Sequence, residues 1–169
     1  TWLILRQPET LTAENHRPFR LRTIWDGVRE VTSSRRVMLS VLAQSFAFGM
    51  LFTNIATIQP VFVEAFDREA SFPLWFAAIA LISMGGSILN ARIVLSLGMR
   101  RVIKATFLGQ LAMSLVMIVL WWSGFESFAL YFIWATSIFF MAGMTLGNLN
   151  ALALEPLGHI AGLATSIIV

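Results

Sequence analysis

Cysteine is absent from the 169 residues, which excludes disulfide frameworks, thiolate metal sites and cysteine nucleophiles. Charge is scarce: only 12% of residues are Asp, Glu, Lys or Arg, where a soluble domain carries about 25%. Histidine occurs twice, at 16 and 159, with no partner at metal-ligand spacing. No H-E-x-x-H, G-x-S-x-G or P-loop pattern occurs, so enzyme chemistry has little support and nothing calls for a cofactor or metal. Strict apolar–polar alternation over about ten residues, the mark of a transmembrane β-strand, is also missing.

What is plentiful is apolar surface. Hydrophobic residues make up 57% of the chain, and a domain this small leaves too much of its surface exposed to hide them from water. The 21 charged residues are unevenly placed, leaving runs at 37–63, 70–91, 105–125 and 127–154 with no Asp, Glu, Lys or Arg. Their lengths are 27, 22, 21 and 28 residues, each enough for the roughly 20 residues that cross a hydrocarbon core. The expected fold class is therefore an all-α, polytopic membrane protein with spans near 37–58, 73–94, 102–122 and 128–148. A further run at 156–169 would reach only about 21 Å as a helix. Because the chain starts at Thr1 and stops within that run, it reads as a fragment of a larger membrane protein.

Orientation follows from lysine and arginine. Residues 1–36 carry seven arginines against four acids, and 92–104 carry Arg92, Arg100, Arg101 and Lys104 with no acid. The intervening 64–69 stretch holds Glu64, Asp67, Arg68 and Glu69, and the next turn contributes Glu126. This alternation puts 1–36, 92–104 and the link at 150–155 on the cytoplasmic side, with 64–72 and 123–127 outside. The basic residues then read as topology signals rather than as a nucleic-acid surface.

Two regions divide the chain. Residues 1–36 form a connection containing Pro8 and Pro18, then an amphipathic helix over 20–34 with Leu21, Ile24, Trp25, Val28 and Val31 on one face. That helix suits either a headgroup surface or packing against the bundle. Residues 37–169 hold the spans. Trp75, Trp121, Trp122 and Tyr131 fall near span ends, where amphipathic rings sit.

In the first span, Ser40, Gln44, Asn54 and Gln59 share an arc of roughly 140°. Amides at bilayer depth must face protein or water. They therefore form either a cavity wall for a substrate, with Phe48 and Phe52 as apolar neighbours, or bonds to another helix. Val37 and Leu39 read as lipid-facing, and Pro60 reads as the end or kink of that helix. Small residues recur in three places, at Gly86 with Ser83 and Ser87, at Gly143 and Gly147, and at Gly158 and Gly162. Such spacing lets helix backbones approach closely. Glu155-Pro156 reads as the start of the last helix.

The stretch Asn90-Ala91-Arg92-Ile93-Val94 followed by Leu97-Gly98-Met99-Arg100-Arg101 resembles the cytoplasmic loop between helices eight and nine of major facilitator superfamily transporters. Ala153-Leu154-Glu155-Pro156-Leu157-Gly158 with Ala161-Gly162, and Pro8-Glu9-Thr10-Leu11, are similar to the bicyclomycin-resistance branch of drug:proton antiporters. The resemblance implies a proton-coupled exporter of small amphipathic compounds in a bacterial inner membrane. The present chain would supply the end of helix six, the central linker, helices seven to ten and part of eleven. Its partners would be the bilayer, the N-terminal half of the same transporter, a small-molecule substrate and protons. Asn90, Arg92, Gly98, Arg100 and Arg101 would belong to a cytoplasmic gate. One departure stands out, since Asn90 occupies the place where the family's first-half loop signature has an acid. No span contains an acidic residue, so the proton-carrying acid is expected in the other half. A non-transporting accessory or scaffolding subunit is the alternative reading.

Overall fold

The computed structural model describes residues 21–160 together with Thr165. The expectations for the 8–11 stretch, for Pro18 and for Gly162 lie outside the described residues. Five α-helices follow one another: α1 (Leu21–Ser33), α2 (Arg35–Pro60), α3 (Phe72–Leu97), α4 (Met99–Trp122) and α5 (Phe128–Leu154). No strand occurs among the described residues. The last four helices are each long and apolar enough to cross a membrane. The chain is thus an all-α, multi-pass membrane protein.

Contacts between side chains fix how the helices run. Asn54 of α2 meets Ala135 of α5, and Ser114 of α4 meets Trp134 of α5, so both helices are antiparallel to α5. Asn90 of α3 meets Asn148 of α5 near the C-terminal ends of both, so these two run parallel. Helix α5 packs against α2, α3 and α4 and is the most buried of the spans. The outer faces of α3 and α4 carry exposed Leu, Ile, Val and Met side chains such as Leu81, Ile88, Leu111 and Val119. This is an apolar coat suited to lipid.

One end of the bundle gathers Arg35, Arg36, Arg92, Arg100, Arg101 and Lys104, with Glu30 and Glu155 among its acids; the other carries Glu64, Asp67, Arg68, Glu69 and Glu126. At the acidic end, Phe62 sits at the centre of an aromatic cluster. Its ring lies 5.4, 5.1 and 6.0 Å from Phe72, Phe128 and Tyr131, each edge to face. Ring pairs at such distances favour edge-to-face contact because ring faces are negative and edges positive. The Arg68 guanidinium lies 4.7 Å from the Phe128 ring centre and covers the cluster with a cation–π contact. Trp75 and Tyr131 belong to this cluster, whereas Trp121 and Trp122 are exposed.

Helix boundaries differ in part from the sequence expectation. Pro60 is the last residue of α2, as expected, but the chain does not break there; it continues as a π-helical turn over Val61–Ala65. Proline lacks an N–H, and the wider turn after it accommodates the altered bonding register. The 92–104 loop shrinks to Gly98, because α3 runs to Leu97 and α4 starts at Met99. Helix α5 extends to Leu154 through the link expected at 150–155, and Glu155–Ile160 forms a 3₁₀ turn rather than the start of an α-helix. Val37 is fully buried rather than lipid-facing, because Val31 of α1 and Leu157 of the turn after α5 pack against it. Leu39 is exposed as expected, and so is Trp25 on α1.

Gly98 has φ 80° and ψ 147°, a combination reached almost only by glycine. With no Cβ it reverses the chain between two long helices in one residue. Gly98→Ala is expected to cost about 1–3 kcal/mol, although no atom crowds the site. Thermal unfolding in detergent checks this, and an unchanged midpoint would contradict the strain argument.

Candidate functional site

Helix α2 presents a side that no other described helix covers. Ser45, Gly49, Thr53 and Thr57 recur every fourth residue along it, all exposed, with Phe46 beside them. Against α5 this side closes into an open cavity of about 530 Å³, to which α5 adds Trp134 and Ile138 and α2 adds Asn54 at the margin. That volume lies within the ~300–1,000 Å³ range of small-molecule sites.

The polar groups of the cavity have a common character. Ser45 Oγ donates to the Val41 carbonyl at 3.0 Å, and Thr57 Oγ1 donates to the Thr53 carbonyl at 2.8 Å. Both hydroxyl hydrogens are therefore engaged, and the oxygens offer lone pairs outward. Asn54 is only 3% exposed. Its Nδ2 donates to the Ala135 carbonyl at 3.0 Å, while its Oδ1 has no partner. A buried, unmet acceptor is costly. That oxygen is enclosed, so the acceptors the cavity presents are the Ser45 and Thr57 hydroxyls, between aromatic and aliphatic walls and with no charged side chain. Such a surface favours an apolar or aromatic solute carrying N–H or O–H groups. The Trp134 indole is held in place by donating to Ser114 Oγ at 3.1 Å.

Of the residues expected on the first span, Asn54 alone lines this cavity. Gln44 is buried elsewhere along α2, with its Oε1 unpartnered. Ser40 is half-buried near the basic end, and Gln59 is exposed in the last turn of α2. Phe48 and Phe52 stack on each other at 5.9 Å, with Phe52 63% exposed, and neither reaches the cavity. The structure therefore brings together a set centred on Ser45, Gly49, Thr53 and Thr57, on the opposite face of the same helix.

The remaining expected residues fall at the basic end or between helices. Asn90 accepts a 2.7 Å bond from Asn148 Nδ2, tying α3 to α5. Arg92, Arg100 and Arg101 are exposed. At Gly86 an added Cβ would lie 2.6 Å from the Phe140 carbonyl, and at Gly143 it would lie 3.0 Å from Ser87 Oγ. These two glycines let α3 and α5 touch. Gly147 and Gly158 face open space. Sequence reasoning missed Asn148 and the Ser114–Trp134 bond. The fourfold spacing of Ser45, Gly49, Thr53 and Thr57 was visible and could have marked the cavity wall. No cluster of His, Asp or Glu suited to a metal occurs among the described residues. Compared with family models, curated proteins and solved structures, the chain matches none of them.

Proposed function

We propose that this chain forms part of the second half of a major facilitator-type exporter, similar to the bicyclomycin-resistance branch, in a bacterial inner membrane. It moves small amphipathic compounds outward in exchange for protons by alternating access, rocking against a second helical bundle. The observation that carries this reading is the cavity on α2, with the outward lone pairs of Ser45 and Thr57. A cleft of this size between α2 and α5, lined by small hydroxyl and aromatic side chains, offers room for a solute or for another protein helix. The basic end lies in the cytoplasm by the positive-inside rule. The resemblance at 90–101 and 153–162 adds support of a separate kind.

A non-transporting scaffolding subunit is the second reading, and the same stripe favours it. Small residues at every fourth position allow a close helix–helix contact, and Gly49 has nothing within 4 Å of its Cβ position.

Binding of a fluorescent amphipathic amine to the purified chain in nanodiscs tests the first reading. Gly49→Phe grows a ring into the cavity from a Cβ position with no atom within 4 Å, so it is expected to weaken saturable binding at least about tenfold, equivalent to about 1.4 kcal/mol, with little change in melting temperature. Ser45→Ala with Thr57→Val is expected to reduce the preference for probes bearing N–H groups over their N-methylated analogues. Unsaturable binding by the parent chain, or equal affinity in Gly49→Phe, would contradict the reading.

A further inference from the structure

At the basic end, a second cavity of about 330 Å³ lies between the first turns of α2 and α4 and the last turns of α5. Arg36, Arg100 and Lys104 rim it, the Ser40 hydroxyl lies in its wall, and no acidic side chain lines it. Below the cations the wall is apolar, formed by Leu39, Ile103, Leu149 and Leu152. Two helix N-termini converge here, those of α2 and α4, and neither has a side-chain cap. Their unpaired N–H groups and positive dipole ends add to the field of the three cations.

Three cations with no lining acid repel one another, and nothing in the lining offsets that repulsion. The arrangement becomes favourable when an anion enters. A phosphate group fits best, since guanidinium groups bind its oxygens in pairs and an ammonium adds a point charge. The cavity also sits where a charged rim passes into an apolar wall, which is the profile of a bilayer interface. The geometry points to a binding site for one phosphate-bearing anion, with Arg36, Arg100 and Lys104 around the phosphate and Leu149 and Leu152 against whatever apolar part is attached to it. An anionic phospholipid of the same leaflet supplies both parts, and a soluble phosphate compound supplies only the first. This site is separate from the solute cavity and does not depend on the chain being a transporter.

The test uses the full chain in detergent, titrated with short-chain phosphatidylglycerol, with short-chain phosphatidylcholine and with inorganic phosphate, and read by native mass spectrometry and by the melting temperature. Saturable binding of one phosphatidylglycerol, weakened by salt and not matched by phosphatidylcholine, is expected. A basic residue beside an anionic headgroup contributes about a factor of five. Arg100→Gln with Lys104→Gln should therefore weaken binding about thirtyfold. Arg101→Gln, which removes a neighbouring charge outside the cavity, should leave it within about twofold. Tight binding of inorganic phosphate, lost in the same double variant, would support the site and assign it to a soluble phosphate compound. Equal binding of both lipids, or equal losses in Arg101→Gln and the double variant, would overturn the proposal. If the double variant fails to fold, Arg36→Gln serves as the second probe of the same rim.

Discussion

Phe62→Ala is expected to be the most damaging single truncation at the acidic end, costing about 3–5 kcal/mol. Phe62 is wholly buried, and three rings from the 72–131 region pack edge-on around it. Because those rings belong to α3 and α5 as well, the cavity left behind cannot close by moving one side chain. The loss approaches the whole stability of a small domain, about 5–15 kcal/mol. Phe62→Leu, which keeps most of the volume, should lose much less. Thermal denaturation in detergent, followed by size-exclusion recovery of monodisperse protein, measures both. A Phe62→Ala protein as stable as the parent would show that the aromatic cluster does not hold α2, α3 and α5 together.

Gly86→Val is expected to separate α3 from α5. At position 86 a Cβ would stand 2.6 Å from the Phe140 carbonyl, a backbone atom that cannot rotate away. Overpacking of this kind costs about 1–3 kcal/mol or more. The displaced helices would also strain the Asn90–Asn148 bond one turn further along. Two neighbours serve as controls. Gly85 has only the Phe140 ring at 3.8 Å, and Gly147 has nothing within 4 Å, so alanine at either should fold normally. Losses of similar size at all three positions would mean that glycine matters here for the backbone rather than for the contact.

Much of the fold was legible in the sequence because charge is so costly in lipid. Runs free of Asp, Glu, Lys and Arg located all four spans, and their alternating flanks placed the two ends of the bundle. Helix boundaries were less legible. Arg92, Arg100 and Lys104 sit within helices, since long side chains reach the interface from inside a helical segment. A charge therefore marks where the interface lies and not where the helix stops. Pro60 marked the end of α2 correctly, but the π-helical turn that follows it has no signature in the sequence.

The candidate site was half legible. A helical wheel fixes which residues share a face, but the neighbour each face meets is decided by the other helices. Gln44 and Asn54 turned toward protein, as amides in a membrane must. The open face was the opposite one, where Ser45 and Thr57 satisfy their own hydroxyl hydrogens on α2 and so tolerate exposure. Ser114 and Trp134 lie on different helices, and no local pattern links them.

Membrane sidedness tests the central claim most directly. The natural absence of cysteine means that single cysteines at Arg100 and at Asp67 can be introduced without removing any others. With an impermeant maleimide on intact cells and on inverted vesicles, Asp67→Cys should label from the outside and Arg100→Cys only from the cytoplasmic side. Labelling of both positions from the same side would contradict a bundle whose helices each cross the bilayer once.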